Sequence, residues 1–237
     1  MTLPKISYPT FDLEVPSLKK KFKFRPFVVK EEKILLMAQQ SGEILDIMNA
    51  IKQIVNNCSV VANAFDVNKL TTFDIEYLFV KLRSRSVSNI IKVTFTDPDT
   101  HERFSEEIDL ERIELKGTIL KDHKIKISDS LSMTIKYPSG EIYNNLKNST
   151  DYTETMISTV TECIDKIYNN QNVFLPKDYT KDDLKEFVVS LPVSTYKEIE
   201  TFVENMPRLH HEIKFVNSNG EERVIALQTL KDFFHLG

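Results

Sequence analysis

The sequence predicts an α+β protein: helices with an antiparallel sheet in the first half, then a mainly helical second half carrying a small C-terminal hairpin. Three observations carry that reading. Apolar residues recur at helical spacing in Ile44, Ile47, Met48, Ile51, Ile54 and Val55, and again in Tyr196, Ile199, Phe202 and Val203. They alternate at strand spacing in Val93–Phe95 and Leu131–Tyr137. Turn chemistry separates the segments at "DPDT" and "NSNG". The character changes near Pro138, which sets a soft boundary between an α+β region, 1–140, and a mainly helical region, 141–237; the two either share one core or stand apart.

Taken in order, Ile6–Val15 lies among Pro4, Pro9 and Pro16 and reads as an extended arm or edge strand. Lys21–Val29 alternates, with Phe22, Phe24 and Val28 on one face and Lys21, Lys23 and Arg25 on the other, and Pro26 marks the exit. Glu31 to about Cys58 is one helix, or two joined near Ser41–Gly42; Glu31 and Glu32 suit the positive end of its dipole. Thr71 and Asp74 resemble a capping box ahead of a helix burying Ile75, Leu78, Phe79 and Leu82. Lys81, Arg83 and Arg85 near its C-terminal end are expected to be solvated and to complement the dipole. Asn89–Asp109 reads as a hairpin around Asp97–Thr100, followed by strands at Lys124–Ser128 and Leu131–Tyr137. Beyond the boundary, Met156, Val160, Cys163, Ile164 and Ile167 share a helical face, and Thr180 with Asp183 starts a further helix. A third, opened by Ser194, stops at Met206–Pro207. A hairpin around Asn217–Gly220 and a short amphipathic helix through Phe233 and Phe234 complete the chain.

At 237 residues there is enough chain to bury a sizeable core. Its 31 basic and 35 acidic residues are interspersed, so no electrostatic footprint points to nucleic acid or to a membrane surface. Cys58 and Cys163 sit within apolar helical patterns and are expected to be buried free thiols in a reducing compartment. Neither a secretory leader nor a membrane span is predicted.

Catalytic signatures are absent from the sequence. There is no HExxH, GxSxG, GxxxxGK[ST], GxGxxG or CxxC, and the neighbouring His210 and His211 point different ways on a strand. Asp97 and Asp99 flank a proline, and Asp182–Asp183 and Glu221–Glu222 sit at a helix start and in a turn, where carboxylates have structural roles. No catalytic, cofactor-binding or metal-ligating residue is assigned, and no cofactor is expected. The aromatic content stands out instead: 15 phenylalanines and 8 tyrosines without a tryptophan. Most belong to the core, while Phe27, Phe233 and Phe234, at the ends of elements, are candidate partner anchors together with Lys23 and Arg25.

Three stretches add to this reading. "FKFRPFVVKEEKILLMAQQSGE" (Phe22–Glu43), "FDIEYLFVKLRSRSV" (Phe73–Val87) and "FVENMPRLHHEIKFVNSNGEERVIALQTLKDFF" (Phe202–Phe234) resemble, in order and spacing, the baseplate hub proteins of T-even-type contractile-tailed bacteriophages. The resemblance implies a non-enzymatic subunit or assembly factor of the hub, acting in viral tail assembly through contacts with other hub proteins. It would be found in the virion tail baseplate, or in the host cytoplasm during assembly. It also implies that Arg25, Pro26 and Phe27, with Glu31 and Glu32, form a recurring N-terminal signature. Some relatives carry cysteines in the C-terminal hairpin; the turn here, "VNSNGEE", has none and depends on the geometry of Asn219–Gly220. The alternative is an enzyme of unrecognised type with a site between the two halves. On the hub reading, reversing charge at Lys23 and Arg25 is expected to abolish hub association and leave the fold intact.

Overall fold

The computed structural model describes residues 4, 6–121, 123–145 and 152–234.

The chain opens with a hairpin. Strands β1 (Phe11–Val15) and β2 (Lys20–Phe24) pair antiparallel, with Asp12 opposite Lys23 and Glu14 opposite Lys21. The expected extended arm is thus the partner of the basic strand. Alternation buries Leu13, Val15 and Phe24 and leaves the charged pairs in water. β2 ends at Phe24, so Phe27 and Val28 are not strand residues. Of the two expectations for the next segment, the structure takes the second: α1 (Val29–Ser41) and α2 (Ile44–Cys58) are separate helices. Gly42, at φ +71°, ends α1 and donates its N–H to Gln39 O at 3.2 Å. α2 buries Ile47, Met48, Ile51, Ile54, Val55 and Cys58, the face its spacing predicts except for Ile44, which stays exposed at the first turn.

α3 (Thr72–Ser86) buries Ile75, Leu78, Phe79 and Leu82. Its Asp74 also serves the β1–β2 turn, accepting from Ser17 N–H at 2.9 Å and from the Ser17 hydroxyl. β3 (Ile90–Thr96) and β4 (Arg103–Asp109) form the expected hairpin, and Asp97 Oδ1 organises its turn by accepting from the N–H groups of Asp99 and Thr100, each at 2.8 Å. β5 (Glu114–Lys116) follows.

Then come β6 (His123–Lys126), β7 (Leu131–Ile135), α4 (Ile142–Asn145), α5 (Tyr152–Cys163), β8 (Ile164–Asn169), β9 (Val173–Phe174), α6 (Lys181–Val189) and α7 (Val193–Glu204). β6-β7-β8-β9 is one antiparallel sheet. Here the helical expectation for Ile164 and Ile167 is corrected: the helix stops at Cys163 and the chain runs straight into β8. A bulge explains the misleading spacing. Ile164 pairs with Ile135, Lys166 with Thr134 and Ile167 with Met133, so the irregularity lets Ile164 and Ile167 both face inward although they are three positions apart. The helix start at Thr180 is as expected, with Asp183 N–H donating to Thr180 Oγ1 and Thr180 N–H to Asp183 Oδ2.

Finally β10 (Arg208–Val216) and β11 (Glu222–Leu227) form the C-terminal hairpin, and α8 (Leu230–Phe234) closes the described chain. Asn217 rather than Asn219 organises the turn: its Oδ1 accepts from Asn219 N–H at 3.1 Å and Glu221 N–H at 3.0 Å. With β8 to β11 following residue 140, the region is more mixed than the helical reading allowed.

The residues group into two compact units. One is built from Met1–Val67, Phe73–Lys116 and Arg208–Gly237, the other from Asn68–Thr72 and Gly117–Pro207. These differ from the regions 1–140 and 141–237, because β10 pairs with β5 as well as β11 and so draws the chain's last segment into the first unit. The first unit holds the largest fully buried side chains, among them Phe24, Phe73, Phe79, Phe233, Ile51 and Leu82. The second packs Ile125, Met133, Ile135, Val160, Ile164, Ile199 and Phe202.

Two glycines test this geometry. A Cβ on Gly42 meets no atom within 4 Å, so Gly42→Ala should cost about 1 kcal/mol from left-handed strain alone. At Gly117, φ +123°, the added Cβ would lie 3.0 Å from Pro207 Cα, so Gly117→Ala should cost clearly more. Urea denaturation of the two variants measures the order.

Candidate functional site

The N-terminal signature residues converge on a single ion pair. Arg25 leaves β2 through a backbone N–H bond to Cys58 O, 2.9 Å. Its guanidinium grips Glu31 through two nitrogens, at 3.0 and 3.4 Å, and also donates to Asn57 O at 3.1 Å and Pro26 O at 2.9 Å. Glu31, fully buried, accepts the Val28 N–H at 3.1 Å. Val28 is the N-cap residue of α1 and has no side-chain oxygen, so Glu31 performs the capping. One pair therefore caps two helices: the carboxylate satisfies a donor at the start of α1, and the guanidinium satisfies a carbonyl at the end of α2.

The electrostatics follow. Burial alone would raise the Glu31 pKa, but the hydrogen bonds from Arg25 and from Val28 N–H outweigh it and hold the carboxyl below its ordinary value. The hydrogen bond to Glu31 likewise raises Arg25. Cys58 is a buried free thiol as expected, and burial pushes its pKa up to about 12; Cys163 is the same.

The partner-binding candidates are placed unequally. Lys23 is exposed on β2, opposite Asp12. Arg25 turns inward, as described. Phe27 is buried, donates its N–H to Ser86 Oγ at 2.9 Å, and lies under the Arg83 guanidinium. Phe233 is buried, and Phe234 packs edge-on against Phe79 with ring centres 5.5 Å apart. These aromatics close the core of their own unit. The basic end of α3 also departs from the solvated expectation. Lys81 is buried and donates to Leu110 O at 3.3 Å and Glu111 O at 2.6 Å, while Arg85 pairs with Glu111 at 3.1 Å. Burial draws the Lys81 pKa down. These cations hold the connection between β4 and β5.

The clamp leaves one helix face in water, a feature the sequence reading missed. Val29, Leu36 and Met37 of α1 are 85%, 50% and 61% exposed, and helical spacing puts them on one stripe with Lys33 and Gln40. An apolar stripe turned away from the core is a candidate docking surface. The run "ILLMA" carried the signal, since it holds more apolar side chains than one buried face can take.

As for chemistry, His210 Nε2 lies 2.9 Å from Glu212 and 3.2 Å from Lys116, while His211 faces the other way. Among the described residues no group of three or more His, Cys, Asp or Glu side chains is gathered to hold a metal, and no helix is long and apolar enough to cross a membrane.

The clamp generates two outcomes. Arg25→Ala should cost about 3–5 kcal/mol by stranding a buried carboxylate, so charge reversal at Arg25 disturbs the fold, unlike reversal at Lys23. Because the folded-state pKa of Glu31 is depressed, its contribution is present above the ordinary carboxylate value and is lost as pH falls through the lower folded value. Glu31→Gln should therefore be less stable than wild type at neutral pH, and the difference should shrink in acid; chemical denaturation across pH reads both.

Comparison with known proteins gives one result. No curated protein and no solved structure matches the chain. A family model described as T4 bacteriophage base plate protein matches residues 8–235. The match spans both compact units and the whole N-terminal clamp, and the chain belongs to the T4 bacteriophage base plate protein family.

Proposed function

We propose that this baseplate protein is a non-enzymatic subunit or assembly factor of the hub at the centre of the baseplate, working through contacts with other hub proteins. Its place is the virion tail, or the host cytoplasm while the tail is built. Family membership supports the baseplate role, and the three stretches that resemble hub proteins support the hub.

The observation that carries the mechanism is the exposed α1 stripe on a helix fixed at both ends, by Glu31 at its start and Gly42 at its finish. A ridge held in place loses little conformational freedom on docking. Its exposed charge is cationic: Lys33 on the stripe and Lys30 at its edge are exposed and make no ion pair among the described residues. The fitting occupant is another hub protein that presents an apolar groove edged by carboxylates, rather than a second copy of the same basic ridge. Lys23 contributes to the charged surround, while Arg25, Phe27, Phe233 and Phe234 support the frame behind it.

Counting the protein by mass spectrometry in purified virions and in baseplate intermediates separates the two hub roles. A fixed copy number in virions identifies a subunit, and presence in intermediates alone identifies an assembly factor. Absence from both overturns the hub reading. Leu36→Asp combined with Met37→Asp should remove the protein from intermediates while its isolated melting temperature stays within a few degrees of wild type.

A further inference from the structure

The β6-β7-β8-β9 sheet turns Ile125, Met133, Ile135 and Ile167 inward. Its opposite face carries Lys124, Lys126, Ser132 and Tyr168, brought together by the register that sets Lys126 opposite Ser132 and Ser132 opposite Tyr168. At one end of the sheet, the Ser128–Ser130 turn and Asn169–Asn170 wall off an open cavity of about 510 Å³ above these residues. We infer that this cavity seats the carboxylates of an acidic, extended segment from another baseplate protein.

The chemistry of the lining carries the inference. Lys124 makes no ion pair among the described residues; its ammonium lies 5.9 Å from the centre of the Tyr168 ring. Lys126 meets Asp129 at 2.7 Å, but Asp129 stands wholly in solvent, where such a pair is weak and easily exchanged. Asn169 Oδ1 accepts from the N–H groups of Gln171 and Asn172, which leaves its amide nitrogen as a donor. Serine hydroxyls supply further neutral donors. The lining also holds the Asp129 carboxylate, so Lys124 is its unpaired ammonium and Lys126 becomes available when an incoming carboxylate replaces Asp129. Together with the hydroxyl and amide donors, these two ammonium groups match carboxylates on a strand-like segment, whose alternate side chains fall on one side. A nucleic acid fits less well. The lining offers one aromatic ring, no arginine and too few cations to follow a phosphate backbone.

The inference takes the source of the segment from the baseplate reading, yet it concerns a different unit of the chain from α1. The two therefore fail separately. The test uses the full chain and a fluorescein-labelled peptide of alternating glutamate and threonine, followed by anisotropy in low and high salt. Wild type should bind in low salt and release in high salt. Lys124→Glu with Lys126→Glu should weaken binding by about tenfold or more, and Lys124→Gln with Lys126→Gln by less. Lys92→Glu with Lys214→Glu, the same charge change at exposed positions of β3 and β10, should leave it unaltered, with circular dichroism unchanged throughout. No binding by wild type, or an equal loss in the Lys92 and Lys214 variant, overturns the inference. So does a thymidine oligonucleotide that binds as tightly with the same dependence on Lys124 and Lys126.

Discussion

A carboxylate taken wholly out of water is tolerated only where fixed donors replace its hydration. Glu31 meets that condition because Arg25 and the Val28 N–H surround it, and the geometry of this arrangement dictates much around it. To bring its guanidinium to Glu31, β2 must end at Phe24 and lie against the close of α2, where Asn57 and Cys58 present carbonyls. To bring its carboxylate to Arg25, α1 must begin at Val29, with Glu31 in its first turn. The start of one helix, the end of another and the exit of a strand are thus set together. Phe27, between the two charges in sequence, is pinned to the end of α3 by Ser86.

A division of labour among charges follows. Arg25 and Lys81 turn inward and Arg85 pairs with Glu111 at the surface, and all three serve the chain's own connections, joining elements whose backbone carbonyls or carboxylates need partners. Lys30, Lys33 and Lys124 remain outside without ion pairs among the described residues. Exposed cations beside apolar or hydroxyl-rich surface favour recognition and approach over folding stability, because water and salt screen them until a partner displaces the solvent. On the proposed reading the first set makes a stiff frame and the second makes surfaces that gain strength on assembly.

Much of this was legible in local sequence. The break at Gly42, the buried stripe of α2, the Asp97 turn and the Thr180–Asp183 cap depend on residues a few positions apart, and propensity and spacing report them directly. What was hidden depends on distant partners. Arg25 continues the outward face of an alternating strand, and only the arrival of α2 reveals that it turns in. Lys81 looks like the solvated end of a helix until the connection after β4 folds over it. Ile164 and Ile167 mimic a helical face because a bulge against β7 changes the period of β8. The two units were also beyond local reading, since β5 and β10 pair across about ninety residues of intervening chain. The α1 stripe was present in "ILLMA", but which of those side chains stays in water was decided by packing against α2.

The central claim is that the clamp fixes α1 so that its outward stripe meets another baseplate protein. A photoreactive amino acid placed at Met37, followed by illumination of isolated baseplates and mass spectrometry of the adducts, tests it most directly. The account predicts a covalent adduct to one other baseplate protein, lost when the same group is moved to Val224 on the outer face of β11. Incorporation into the baseplate with no protein adduct from position 37 would contradict it.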